Sequence, residues 1–191
     1  SQGAKNFQLT TAGGIAVGAN GFTTTGNVGL TADNGGNTAA ITSGAGVVAA
    51  NALTATADAG IALNTSVATL TATNSTTGDI VVAEASGVDI AGLTTSAGNG
   101  NIQVVTTDGS ITTSGAISAN GAGTVTLTAA GATRTLTVSN PVSSGSGAVS
   151  LSGVDGVTLS GATGDVTTTG TYTVNADSDG NGTGTYSQND A

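Results

Sequence analysis

The chain has no Cys, Met, Trp or His, a single Pro, and only two basic residues, Lys5 and Arg134. Each absence excludes something. Without Cys there are no disulfides, and without His or Cys the commonest general bases, soft metal ligands and thiol nucleophiles are missing. The acids are spread along the chain rather than gathered with Lys, Arg or His, so no enzyme active site is expected. With two bases against a net charge of −9, the chain cannot release counterions from phosphate, which argues against nucleic acid. Anionic membrane surfaces are disfavoured for the same reason. No apolar run approaches the length of a membrane-spanning helix. No charged-then-apolar leader opens the sequence, so the chain is expected to be a mature or excised piece. Cofactors are not required by anything in the composition.

The four aromatics are Phe7, Phe22, Tyr172 and Tyr186. A core without bulky rings must be filled by Val, Ile, Leu, Thr and Ala, and small side chains fill a core only where the backbone walls lie close together. Such a core is narrow and regular. The high Gly, Ser and Thr content could also describe a disordered linker. The regular alternation of Val, Ile and Leu with polar residues argues against that, because linkers have no reason to alternate.

What is present is a repeat. The stretch 101–127 reads NIQVVTTD, GSITTSG, AISANGAG, and then TVTL restarts the theme. Three short apolar segments are separated by corners rich in Gly, Ser, Asn and Asp. One anchor per cycle gives Leu9, Leu30, Leu53, Val82, Val104, Leu127, Leu151 and Val174, at steps of 21, 23, 29, 22, 23, 24 and 23. Self-similarity at such a period marks stacked repeats. The expected fold is all-β: a parallel β-helix of about eight turns, each of roughly 22–24 residues with three short strands. At a strand spacing of ~4.8 Å the seven steps make a rod roughly 35 Å long. Residues 1–176 form the shaft, and 177–191 an acidic Gly/Asn/Asp-rich tail or linker. The long step from Leu53 to Val82 predicts an insertion around Ala68–Thr77. Alternation places Ile102, Val104, Val125 and Leu127 inward, with Gln103, Val105, Thr126 and Thr128 outward. An antiparallel sandwich is the competing all-β fold, but it has no reason to repeat a three-strand unit at this period.

The units VTLTA, GVTLSG, GSITTSG and GDVTTTG, spread over most of the chain, resemble those of filamentous-haemagglutinin-like and autotransporter-passenger exoproteins of bacteria. The resemblance implies a right-handed parallel β-helix and an extracellular, cell-surface rod acting in adhesion, in filaments or in biofilm matrix. Its expected partners are neighbouring domains of a longer chain, other copies, or host and surface glycans, with no membrane insertion. The Asn-Pro motifs of an export domain are represented only by Asn140-Pro141, so the piece resembles shaft.

Several residues could carry more. Acids follow the anchors of most cycles: Asp33, Asp58, Glu84, Asp108, Asp155 and Asp177. Stacked, they would form an acidic ridge able to hold divalent cations; read locally, they are turn residues. Arg134 is expected to pair across turns with Asp155. The run Asp177, Asp179, Asn181, Gly182, Thr183 matches the opening of an EF-hand-type calcium loop, but Gln188 stands where the bidentate Glu belongs. Calcium and a plain acidic linker both fit. The four rings are expected to plug the two ends of the solenoid; sugar stacking is the alternative. Asn64, Asn74 and Asn181 open glycosylation sequons, of a kind common by chance in an Asn/Thr-rich chain. Finally, Thr23, Thr25, Thr94, Thr167 and Thr169 fall near equivalent positions and suggest an outward binding face for ice or polysaccharide. At the positions read as equivalent to these in other cycles, Ala, Asn and Ser interrupt the rank.

Overall fold

A computed structural model describes residues 5–33, 35–161 and 164–189. Parallel pairing joins its strands turn upon turn. The first turns are built from β1 (Phe7–Thr11), β2 (Ile15–Ala16), β3 (Phe22–Thr23) and β4 (Asn27–Ala32). Two long strands follow, β5 (Ile41–Ala57) and β6 (Ile61–Asn74), then β7 (Ile80–Glu84) and β8 (Val88–Thr95). From there each turn has three short strands. They are β9 (Ile102–Thr106), β10 (Ile111–Thr113) and β11 (Ile117–Ala119), then β12 (Val125–Ala129), β13 (Thr135–Val138) and β14 (Val142–Ser144). The chain closes with β15 (Val149–Gly153), β16 (Gly156–Ser160), β17 (Val166–Thr167), β18 (Tyr172–Asn175) and β19 (Thr185–Asn189). No helix occurs among the described residues, and none is long and apolar enough to cross a membrane. The fold is a parallel β-solenoid.

Register shows why these residues build it. On the first face, Ile15, Ile41, Ile61, Ile80, Ile102, Val125, Val149 and Tyr172 stack in one column. These eight rungs span about seven turns. On the second face, Val28, Leu53, Leu70, Ile90, Thr113, Val138 and Leu159 align. On the third, Leu30, Ala55, Ala72, Leu93, Ile117 and Val142 do so. Nearly all of these side chains are buried and form one continuous aliphatic cluster. Stacking like on like keeps a branched side chain at each rung in contact with the ones above and below, which is the dispersion gain of a close-packed interior.

The period of the third cycle is corrected. Leu53 belongs to the second face and Val82 to the first, where Val82 pairs back to Leu63. The step of 29 therefore compares two different faces, and Ala68–Thr77 is not an insertion. Leu70–Asn74 is strand paired to both neighbouring turns. The turn is short instead: Ile61 and Ile80 are adjacent rungs of one column. Nor does every turn divide into three strands, since β5 and β6 round their corners without a break. β6 contains no Gly, Pro or Asp to interrupt it.

The corner after the third face is lined by glycine in several turns. A Cβ on Gly100 would press on the carbonyl of Gly78, one on Gly123 on that of Gly100, and one on Gly147 on that of Gly123. Small polar side chains bind the carbonyls of this column from inside. Thr95 Oγ1 donates to Gly100 O (2.9 Å), Ser144 Oγ to Gly123 O (2.6 Å) and Thr168 Oγ1 to Gly147 O (2.6 Å). Among the described residues no buried side-chain nitrogen or oxygen lacks a partner. That is the condition for burying polar corners in an apolar shaft.

Candidate functional site

The acids do not form one ridge. Asp33 and Asp58 lie at the corner after the third face, where Asp58 N–H donates to Ala32 O (3.2 Å). Glu84, Asp108, Asp155 and Asp177 lie at the corner after the first face. Even there they differ in direction. Asp108 is exposed and Asp155 half-buried, but Glu84 is fully buried.

Glu84 is the most concentrated polar site in the shaft. Its inward direction follows from strand parity: Ile80 and Val82 point inward, and so does the residue two further on. Its Oε2 accepts the Thr65 hydroxyl (2.7 Å) and the Val67 N–H (3.1 Å). Its Oε1 accepts the Ser86 N–H (3.0 Å) and the Ser86 hydroxyl (2.9 Å). Two backbone and two hydroxyl donors thus close around one carboxylate and join two successive turns. Expected in an acidic ridge, Glu84 instead lies inside, as the alternation within IVVAE signals.

Arg134 pairs with Asp108, not with Asp155: its Nε donates to Asp108 Oδ1 at 2.9 Å. The Arg134 carbonyl accepts the Asp155 N–H (2.9 Å), while the Asp155 carboxylate accepts the Thr183 hydroxyl (3.0 Å). The guanidinium reaches to the turn below, where Asp108 lies.

The loop from Asp177 to Thr183 closes on itself. Asp177 Oδ1 and Oδ2 accept the N–H groups of Asn181 (3.1 Å) and Gly182 (2.9 Å). Asp179 Oδ2 accepts Asn181 Nδ2 (2.8 Å), and Asn181 Oδ1 accepts the Thr183 N–H (2.8 Å). The loop joins β18 to β19, which pairs on β16, so up to Asn189 the tail extends the solenoid by a strand. Residues 190 and 191 lie outside the described residues. Among the described residues no group of three or more Asp, Glu, His or Cys gathers as a metal-holding set.

The sequons meet different fates. Asn74 is buried, accepts the Gly60 N–H (3.0 Å) and donates to the carbonyls of Thr77 (2.7 Å) and Gly78 (2.6 Å). It is a corner brace. Asn64 donates to Gly44 O (2.7 Å), and Asn181 is exposed.

The rings do lie at the two ends. Phe7 and Phe22 pack with centroids 4.5 Å apart, against the core. They border an apolar hollow of about 210 Å³ shared with Leu9, Ile15 and Val17. Tyr172 and Tyr186 lie at the other end, both exposed. Burial of its inner edge raises the Tyr172 phenol above its ordinary range, helped by the charge and hydrogen bond of Tyr186.

The five threonines singled out above do not share a face. Thr23 aligns with Ala49 and Ser66, whereas Thr94 and Thr167 belong to a different column. That column contains Thr10, Thr31, Thr56, Thr73, Thr94, Ser118, Ser143 and Thr167. Every rung of the third face carries a hydroxyl, half-buried in the middle and exposed at both ends. Serine still interrupts the threonines at Ser118 and Ser143, but aligned by pairing the file of hydroxyls is unbroken. Thr54 beside Thr56 and Thr71 beside Thr73 double it over two turns.

Comparison with protein-family models, curated proteins and solved structures finds no match. The functional reading therefore rests on the geometry and on the sequence resemblance.

Proposed function

We propose that this chain is a non-catalytic rod, a structural or adhesive module of a large bacterial surface or secreted protein. It would serve adhesion, filament formation or biofilm matrix outside the cell. The observation that carries the reading is the even spread of chemistry along a uniform shaft. Aliphatic columns run through every turn, and the polar groups with the most partners, Glu84 and the corner hydroxyls, are spent on holding turns together. A stack of parallel strands gives a spacer whose length scales with turn number. Its outward side chains vary without disturbing the core, which suits contact with neighbouring domains and surface glycans. The test is retention under shear of beads carrying the chain, on glycan-coated and abiotic surfaces, beside release of reducing ends from a polysaccharide panel. Retention without release is expected; turnover of any panel member overturns the reading.

One observation favours a second reading, a binder of ordered hydroxyl or water lattices such as polysaccharide or ice. It is the unbroken hydroxyl file from Thr10 to Thr167. A rank of like groups at one strand spacing presents a periodic ligand with matching contacts over many rungs. An ice-recrystallisation assay and a polysaccharide pull-down, each run with Thr73→Lys, separate this from the plain rod. Activity in the parent and none in the variant supports it, and an inactive parent ends it.

A further inference from the structure

We infer that the outer side of the first face carries a binding cleft for a neutral oligosaccharide, laid across the shaft over Gly60, Ala62 and Asn64. Alternation along β6 turns Ala62 and Asn64 outward, and Gly60 precedes them with the same parity. Pairing sets Thr42 of the turn before and Val81 of the turn after on either side of Ala62. Two hollows of about 230 and 250 Å³ adjoin here, each bordered by Thr42, Ala62 and Val81. The cause is side-chain size: glycine and alanine lie on the middle rung, between a threonine and a valine. Walls two strand spacings apart give a width of ~9.6 Å, and the steps from Gly60 to Asn64 a length of roughly 13 Å.

The register raises one rim. Between Thr42 and Val47 the stretch 43–46 faces Leu63 alone, so β5 bulges there. Gly44 and Ala45 are exposed on the bulge, and Asn64 Nδ2 fastens it by donating to Gly44 O (2.7 Å).

Two features point to a ligand. Among the described residues, the large hydrophobics left exposed outside the first and last turns are Val47 and Val81. Both border the cleft, since Val47 pairs with Asn64, and exposed Ala62 and Ala83 join them into one apolar floor. The second feature is a set of unspent acceptors. Asp79 Oδ1 takes the Asn101 N–H (2.7 Å) and Nδ2 (3.1 Å). Among the described residues nothing donates to Asp79 Oδ2, to Asn64 Oδ1 or to the exposed Thr42 hydroxyl. An apolar floor with a few placed polar groups is the form of a ligand site.

The chemistry of the rim selects the occupant. Free acceptors suit the hydroxyl donors of a sugar, whose C–H face lies on Ala62 and Val81. No base lines the cleft and its one charge is that of Asp79, so sialylated and uronate glycans are repelled. An extended peptide would need free backbone groups, and β5, β6 and β7 spend theirs on the turns at both sides. A shallow cleft holds a sugar weakly, so retention comes from presenting many chains together.

The inference rests on the reading of the chain as an adhesive rod, and the two fail separately. Beads carrying the chain are washed over neutral hexose and hexosamine oligosaccharides, sialylated and uronate glycans, and a trilysine peptide. The parent should be retained on the neutral glycans. Ala62→Ile, which fills the floor, should abolish retention. Asp79→Asn keeps the oxygen that Asn101 uses and replaces Oδ2 by an amide; it should weaken retention several-fold with an unchanged thermal midpoint. Thr73→Lys, on the third face, should leave retention as it was. No retention of the parent on neutral glycans, or preference for acidic glycans or trilysine, overturns the inference. So does loss in Thr73→Lys, or parental retention in both cleft variants, which leaves the adhesive rod standing without this cleft. Release of reducing ends would instead sink the rod reading.

Discussion

The Thr65 hydroxyl donates to the Glu84 carboxylate at 2.7 Å, with both residues buried and one solenoid turn apart. The bond ties β6 to β7 from inside the shaft, beside the Val67 N–H that reaches the same oxygen. In a column that otherwise holds Phe22, Val48 and Thr106, the carboxylate with four donors is where a single substitution does most harm.

Replacing Glu84 with Ala removes the acceptor for two backbone N–H groups and two hydroxyls at once. Each buried donor left unpaired costs roughly 1–3 kcal/mol, so Glu84→Ala should lose at least about 3 kcal/mol in chemical denaturation on the same principle. Glu84→Gln keeps the shape and one acceptor oxygen and should lose less. Equal losses would show that the donors find water instead.

The Arg134–Asp108 contact is at the surface, where ion pairs contribute less than ~1 kcal/mol. Arg134→Ala should leave the fold intact with a small drop in stability. A double-mutant cycle should give measurable coupling between Arg134 and Asp108, decreasing with salt, and none between Arg134 and the Asp155 carboxylate. Coupling to Asp155 would mean that the guanidinium reaches up the stack.

Gly123 sits where one corner presses on the next. A methyl group there meets the Gly100 carbonyl and forces the turns apart, so Gly123→Ala should destabilise by about 3 kcal/mol, the upper end of the usual scale of overpacking. Gly44, whose added Cβ meets nothing within 4 Å, provides the contrast. Its positive φ of 49° leaves only the backbone strain of about 1 kcal/mol. Thermal melts of the two variants check the difference.

Tyr172 makes stability fall at high pH. Its phenol titrates above the ordinary 10.0 in the folded chain because burial disfavours the phenolate. The unfolded chain therefore loses its proton first. The folded state binds more protons in that window, and its stability decreases as pH rises past the ordinary phenol range. The group is partly exposed, so the effect is modest. Thermal midpoints measured upward from pH 9 should fall less steeply in Tyr172→Phe; identical slopes would remove Tyr172 as the cause.

Much of the shaft was legible because strand alternation is local. Ile102, Val104, Val125 and Leu127 are identifiable as core from period two within short segments, and all are buried. The site residues were harder. Glu84 reads as a corner acid by its place after Val82, and two of the donors that make it tolerable inside, Thr65 and Val67, lie 19 and 17 positions away in the turn before. The hydroxyl file escaped notice because its members are 17 to 25 positions apart. No fixed period links Thr56 to Thr73 and Ser118 to Ser143.

By itself the sequence determined the all-β class, the stacking of repeats and the aliphatic core, because side-chain direction along a strand depends only on neighbours two residues away. Only the tertiary structure decided which rung meets which. Corners differ in length, β5 and β6 pass theirs unbroken, and the register shifts between Leu70 and Thr71. Each such local choice moves every later residue to a different partner. That is why Leu53 faces Leu70 rather than Val82, why Arg134 reaches Asp108, and why threonines and serines scattered along the chain form one file of hydroxyls along the rod.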